Sequence, residues 1–338
     1  MSNEIIILGN FGNSDNSALQ KDFQSQELLD TAKTNFNNIK ISFVNYNNED
    51  YQQIVEKCKN AKVIIPQGKY DLLTDLCSEL KSLKLVQTIS AGTEWIDKPQ
   101  LKEMGIKVSN NGGANAVAVA EHAIGLMFAV NRKLDIQIDS AKNGTWMDGV
   151  KGDRDEFQTL AGKTVGIIGL GRIGSRVAKR LYGWECKIIY YDTEVFDENY
   201  EKECNAKRVS LAELLKSSDV VTLHVPYDRL TRHLISQEEL DLMKKSAILI
   251  NTCRGGVVDE NALIKTLESK KIRAAGLDVT EVEPIEENNP LLNLNNVIIT
   301  PHLATRAKES EVNAMYNVLA NASRVVEGKE PEWVVEPV

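Results

Sequence analysis

Cysteine is scarce and poorly spaced for chemistry. There are five in 338 residues, Cys58, Cys77, Cys186, Cys204 and Cys253, with no Cys-x-x-Cys pair. An odd, scattered set excludes a disulfide framework and a thiolate cage, and no metal is expected. Positive charge is short as well: 40 Lys and Arg against 48 Asp and Glu leave a formal charge of −8, with the signs interspersed. A nucleic-acid groove or an anionic membrane surface needs a concentrated positive field, so neither partner is expected. No long apolar run is present. The most apolar stretch, Ala114–Val130, is broken by Glu121 and His122 and is too short to span a bilayer comfortably. The opening residues, Met1–Gly9, lack a basic and apolar leader pattern, which makes the cytoplasm the expected compartment. Internal repeats and a proline-rich linker are also missing.

What is present is alternation. Short β-branched runs at Glu4–Leu8, Ile39–Asn45, Ala61–Pro66, Leu85–Ser90 and Lys107–Ser109 interleave with amphipathic stretches at Ser17–Asn35, Tyr51–Lys59 and Leu72–Leu83. After the polar segment Lys142–Gln158 a second series of strands is predicted at Thr164–Gly169, Lys187–Tyr191, Val220–Val225, Ala247–Asn251, Ala275–Val279 and Val297–Thr300. Alternation of this kind predicts two α/β domains built on parallel sheets with helices on their faces. Asn115–Leu134 reads as a long helix bridging the two. Lys308–Val326 reads as a last helix that must pack on something already built.

The strongest local signal is Thr164-Val-Gly-Ile-Ile-Gly169-Leu-Gly171-Arg172-Ile173-Gly174, an apolar strand entering Gly-x-Gly-x-x-Gly and then a helix, Ser175–Tyr182. Gly169 permits a tight turn, Gly171 lets backbone approach a pyrophosphate, and Gly174 allows helix and strand to pack closely. A second strand ends in Asp192, 18 residues past Gly174. A carboxylate there accepts hydrogen bonds from the ribose hydroxyls of NAD and repels the 2′-phosphate of NADP. The plainer reading of Asp192 is a surface acid at a strand end.

A nicotinamide cofactor implies hydride transfer, which needs a proton donor beside the reacting carbonyl and a cation that polarises it. Arg254, at the end of the apolar run Ile250–Cys253, could clamp a keto-carboxylate through its planar fork or instead pair with Asp259 or Glu260. His302, one of four histidines, follows the strand that ends at Thr300, and Glu283 follows the strand that ends near Asp278. A carboxylate paired with an imidazole fixes its orientation and tautomer and favours the charged ring. A structural His302 and a solvated Glu283 are the alternatives.

Taken in order, Ser90-Ala-Gly92, Ala118-Val-Ala-Glu121-His122, Gly169–Gly174, His224-Val-Pro226, Asn251–Glu260, Gly276–Val279, Glu283-Pro284 and Thr300-Pro-His302 resemble the D-isomer-specific 2-hydroxyacid dehydrogenase family over nearly the whole chain. The resemblance implies a Rossmann NAD-binding domain, residues 113–303, inserted into a flavodoxin-like substrate domain made of residues 1–112 and 304–338. It implies an NAD-dependent enzyme interconverting a small 2-keto acid, such as glyoxylate, hydroxypyruvate or pyruvate, and its D-2-hydroxy acid, working as a homodimer through the helix from Asn115. Arg254, Glu283 and His302 would be catalytic, with Arg254 binding the substrate carboxylate together with the backbone at Ala91 and Gly92. Gly169, Gly171, Arg172, Ile173, Gly174, Asp192, Val225, Pro226, Thr231, Thr252, Cys253 and Asp278 would contact the cofactor, Asp278 at the nicotinamide carboxamide. His224 falls beneath the adenine and is given no catalytic part. Glu283 argues against the formate-oxidising branch and Ala91 against the phosphite-oxidising one. A short-type phosphoglycerate dehydrogenase and an NAD-sensing corepressor-like binding protein remain open on the same scaffold. Trp95, Arg306 and a partner's Trp146 are candidates for shaping substrate preference.

Overall fold

The computed structural model describes residues 4–9, 40–150 and 157–337. The helix expected over Ser17–Asn35 lies outside the described residues. The chain divides into two compact units, Met1–Ala114 with Lys308–Val338, and Asn115–Ala307. These bounds fall a few residues from the domain limits expected at 112/113 and 303/304.

Among the described residues of the first unit, one parallel sheet contains β1 (Glu4–Gly9), β2 (Lys40–Asn45), β3 (Ala61–Pro66), β4 (Leu85–Gln87) and β5 (Lys107–Ser109), in the order β2-β1-β3-β4-β5. That is the flavodoxin-like order. β1 is buried along its whole length, as a central parallel strand must be when both faces are covered. Its alternation sends Ile6 and Leu8 to one core with Ile64, Leu76 and Leu101. Ile5 and Ile7 go to the other, where Met315, Val318, Leu319 and Ala322 of the helix Lys308–Val326 complete the cover. The late helix expected to need a host therefore has one: the open face of the first sheet.

Buried polar groups fix that docking. Asn321 donates to Gln87 Oε1 at 2.7 Å and to the Glu332 carbonyl at 2.9 Å, while Glu332 N–H donates to Asn321 Oδ1 at 2.7 Å. Gln87 in turn donates to the carbonyls of Thr88 and Asn110.

The second unit carries, among its described residues, a parallel sheet of β6 (Thr164–Ile168), β7 (Lys187–Tyr191), β8 (Ala206–Arg208), β9 (Val220–Leu223), β10 (Ile248–Asn251), β11 (Ala274–Leu277) and β12 (Val297–Ile299). Their order, β12-β11-β10-β9-β6-β7-β8, reverses direction between β6 and β9, the place where a doubly wound sheet opens a crevice for a dinucleotide. β8, with Ala206 buried and Lys207 and Arg208 exposed, was not anticipated from the sequence. The helix Ala116–Arg132, expected to bridge the two domains, belongs wholly to this unit. Its Ala120, Ala123 and Met127 pack in one core with Val165, Ile167, Ile248 and Ile250. Gly276 lets it approach: a Cβ there would lie 3.1 Å from Val130 and 3.0 Å from Ile250.

Asn321→Leu should destabilise the first unit by about 1 to 3 kcal/mol, because the buried Gln87 Oε1 would be left without a donor and the Glu332 N–H would lose its acceptor. Urea titration followed by tryptophan fluorescence checks this, and an unchanged midpoint would mean that the network contributes nothing.

Candidate active site

Because its strands are parallel, the second unit delivers every candidate side chain at one edge of the sheet. Gly169 leaves β6 with φ +92°, and a Cβ there would lie 2.5 Å from the His224 carbonyl oxygen. A Cβ on Gly174 would lie 2.0 Å from the Gly169 carbonyl oxygen. Neither position tolerates a side chain. Gly171 differs, since a Cβ there would meet nothing within 4 Å, and its bareness keeps open space above the loop. The helix that follows, Gly174–Leu181, has no side-chain cap, so the N–H groups at its start and its positive dipole end face that space with Arg172 and Ile173.

Asp192 is tied to the same loop. Its carboxylate accepts from Leu170 N–H at 2.8 Å and from Glu194 N–H at 2.9 Å. Val225 sits against Gly169. Thr231 donates to the Pro226 carbonyl at 2.7 Å and accepts from Asp228 N–H at 2.9 Å, closing the turn that holds Pro226.

Two buried polar atoms in this region have no partner among the described residues, His224 Nδ1 and Thr252 Oγ1. They lie just past β9 and β10, where a polar ligand would satisfy them. Together with the bare glycine loop and the positioned Asp192, they fit a dinucleotide. Burial pushes the His224 pKa down to about 3, so the ring is neutral, its Nε2 bonded to Thr222 at 2.9 Å. Burial likewise pushes the Cys253 thiol up to about 11. The thiol stays protonated and bonds Asn251 Oδ1 at 3.1 Å.

Asn251 shapes the Arg254 loop, accepting from Cys253 N–H at 3.0 Å and donating to the Arg254 carbonyl at 3.0 Å. Arg254 Nη1 donates to the Cys253 carbonyl at 2.7 Å. Asp259 caps the helix Glu260–Glu268, and Glu260 accepts from Glu281 N–H and the Asn289 amide. Gly255 presses on the next loop, where a Cβ would lie 1.9 Å from the Thr280 carbonyl oxygen. That contact sets the Arg254 loop directly beside the loop of Glu283.

His302 and Glu283 meet: Nδ1 lies 2.6 Å from Glu283 Oε2. A carboxylate only accepts, so Nδ1 carries the proton and Nε2 is the ring atom left to act. Thr280 N–H steadies the other carboxylate oxygen at 3.2 Å. His302 has φ +53°, a left-handed conformation that a histidine holds only when its surroundings insist. Here His302 N–H donates to the Asp278 carbonyl at 2.8 Å.

Asp278, for which the resemblance implies a carboxamide contact, is buried and bonded within the chain. Its residue is 1% exposed, and its carboxylate is occupied by Thr300 Oγ1 at 2.6 Å, Leu303 N–H at 3.0 Å and Ala304 N–H at 2.8 Å, with His122 Nε2 at 3.4 Å. Burial works to raise its pKa, but the bonds from His122, Thr300, Ala304 and Leu303 outweigh it and leave the pKa lowered. The charged group anchors the segment carrying His302. His122 and Thr300 were present in the sequence motifs without an assigned part; the only signal was that histidine is rare. Ala91 and Gly92 lie on the loop after β4 in the first unit, tied by Ser90 Oγ to the Gly92 carbonyl and by Asn110 to that of Ala91. Among the described residues there is no metal-holding cluster of His, Cys, Asp or Glu, and no helix is long and apolar enough to cross a membrane.

Gly171→Val should fold and melt as the parent does, since its side chain enters open space, yet weaken NADH binding at least about tenfold. Fluorescence titration beside a thermal melt checks this, and unaltered binding would move the cofactor elsewhere. His224 gives a stability prediction. Its folded pKa of about 3 lies below the unfolded 6.5, so the unfolded chain binds the extra proton between those values and stability falls as pH drops through that window. At pH 5 the loss is about 2 kcal/mol. His224→Gln should flatten the slope in denaturation curves taken from pH 7 to pH 5, and a parallel slope would refute it.

The family described as D-isomer specific 2-hydroxyacid dehydrogenase, NAD binding domain, matches residues 124–304. A D-3-phosphoglycerate dehydrogenase of Methanocaldococcus jannaschii is 39% identical over 286 residues, 84% of this chain but 53% of its own length. The chain thus spans about half the length of that relative. A hydroxypyruvate reductase of Thermotoga maritima is 40% identical over 252 residues, covering 74% of this chain and 79% of that one. The crystal structure of a glyoxylate reductase from Paecilomyes thermophila superimposes with a TM-score of 0.81 at 29% identity, covering 99% of this chain and 98% of that one. Glycine loop, Asp192, the Arg254 loop and the His302–Glu283 pair all fall in or beside the matched stretch, and the chain belongs to the D-isomer specific 2-hydroxyacid dehydrogenase family.

Proposed function

We propose that the protein is an NAD-dependent oxidoreductase interconverting a small 2-keto acid and its D-2-hydroxy acid. The observation that carries this is the His302–Glu283 pair at 2.6 Å, placed at the sheet edge that also bears Arg254 and the glycine loop. NADH, when bound, supplies the hydride. The glycine loop and the helix start take its pyrophosphate, and Asp192 takes the ribose hydroxyls and disfavours a 2′-phosphate. His302 Nε2 gives a proton to the carbonyl oxygen in reduction and recovers it in oxidation, while Glu283 holds the ring in its orientation. The Arg254 fork binds the substrate carboxylate and steadies the developing oxyanion. The part of Ala91 and Gly92 in holding the carboxylate rests on the family pattern alone, as does any contact of Asp278, Thr252 or Cys253 with the nicotinamide.

Oxidation of a phosphoglycerate is the second reading, favoured by the Methanocaldococcus relative. It asks for additional cations, and of the two candidates Lys69 is paired with Asp71 at 3.0 Å, leaving Arg306. We further read the protein as a cytoplasmic homodimer. Its cysteines are unpaired, and Leu134, Ile138, Trp146 and Met147 stand 38%, 49%, 70% and 78% exposed, apolar side chains that a second copy would cover.

A panel of glyoxylate, hydroxypyruvate, pyruvate and 3-phosphoglycerate with NADH or NAD tests the activity. No turnover of any of them would remove it. Glu283→Gln should slow the reaction by leaving the ring of His302 without its fixed orientation. His302→Ala should cost on the order of 10² to 10⁴ in rate. Near-parent turnover in His302→Ala would place the acid elsewhere.

A further inference from the structure

We propose that His122, on the helix Ala116–Arg132, is a positioning residue for His302, acting through Thr300 and the Asp278 carboxylate. The proposal rests on the reading of His302 as the proton donor.

Hydrogen counting sets the direction of each bond. Thr300 has one hydroxyl proton, and it goes to Asp278 Oδ1 at 2.6 Å, because a charged carboxylate only accepts. Thr300 Oγ1 is therefore an acceptor toward His122 Nε2 at 2.9 Å, so His122 carries its proton on Nε2. The same N–H points toward Asp278 Oδ1 at 3.4 Å. One imidazole N–H thus supports both members of the Thr300–Asp278 pair.

That pair governs the backbone of the catalytic loop. Asp278 receives Leu303 N–H and Ala304 N–H, the two groups directly after His302, while its own carbonyl receives His302 N–H. Thr300 stands two residues before. The left-handed turn at His302 is clamped on both sides by groups that converge on one buried carboxylate. A carboxylate that loses a donor in a dry site regains it by shifting or by admitting water, and either event frees the turn.

His122 is set apart from its neighbour in the sequence motif. Glu121 pairs on the surface with Arg180 at 3.1 Å and has no route to the loop. The His122 side chain is 27% exposed, and its ring meets Asp278 and Thr300, the residues that directly follow β11 and β12. It is placed to aim the catalytic histidine without touching substrate.

The experiment compares His122→Leu, which removes the donor, with His122→Gln, whose amide N–H reaches a similar distance. Expected for the leucine variant is a fall in reductive kcat of at least about tenfold, with the NADH dissociation constant and the keto-acid KM held within about twofold. The glutamine variant should recover most of the loss. In protein labelled at histidine, the NMR signal of the His302 Nδ1 proton bonded to Glu283 should weaken in the leucine variant and return in the glutamine one. If the leucine protein does not fold, Thr300→Val, which removes the linking hydroxyl, carries the same expectation. Parent-like kcat and an unmoved His302 signal in the leucine variant would overturn the proposal, as would a fall in kcat that the glutamine variant leaves uncorrected. If His302→Ala proves fully active, the reading of His302 as the acid fails, and the NMR comparison still decides whether His122 positions it.

Discussion

Parallel strands end where their neighbours end, and most of this protein's chemistry follows from that constraint. In the second unit Gly169, Asp192, His224, Arg254, Asp278 and Thr300 each stand at or just past the last residue of a strand. Residues far apart in the chain therefore share one edge without any long-range signal in the sequence. The direction reversal between β6 and β9 separates the loops there and leaves room for a ligand. Tight glycines at positions 169 and 174 and an open one at 171 line that room. The site is a by-product of topology, refined by a few side chains.

A charge buried at the same edge gives the site its stiffness. An ionised carboxylate in a nearly dry position is costly unless its oxygens are satisfied, and Asp278 collects two backbone N–H groups, a hydroxyl and an imidazole. Satisfying the charge and holding His302 in its left-handed turn are accomplished by the same bonds. The exposed Glu283 then needs only to meet a ring that is already aimed.

The strands of both sheets were legible because parallel strands covered on two faces read as continuous apolar runs, Ile5–Leu8 and Val165–Ile168 being clear cases. The helix Lys308–Val326 was legible from its periodicity. β8, three residues long with Lys207 and Arg208 exposed, carries too little apolar pattern to be seen, and the short helix Lys98–Glu103 buries only Leu101. For the site, the glycine loop and Asp192 could be read from residue type and spacing, whereas the pairing of His302 with Glu283 came from the family resemblance. The part of His122 could not: it depends on a helix crossing strands whose residues lie more than 150 positions away, and no local pattern encodes such a crossing. Which sheet receives that helix was hidden for a related reason: its small apolar face suits either kind of neighbour, and Gly276 on β11 is what admits it so closely.

The first unit is split in the chain, and this has a consequence for synthesis. Among the described residues, Ile5, Ile7, Val63 and Ile65 take helical cover from residues 315–326, which leave the ribosome after the whole of Asn115–Ala307. The second unit can close its own cores while the first still shows a bare apolar sheet face to the cell. For the time needed to translate some two hundred residues, on the order of ten to forty seconds, that face is a place where a nascent chain can bind a chaperone or another copy of itself. The buried Asn321 supplies the discrimination when the right helix arrives, since an arbitrary apolar helix would cover the isoleucines but leave Gln87 Oε1 without a donor.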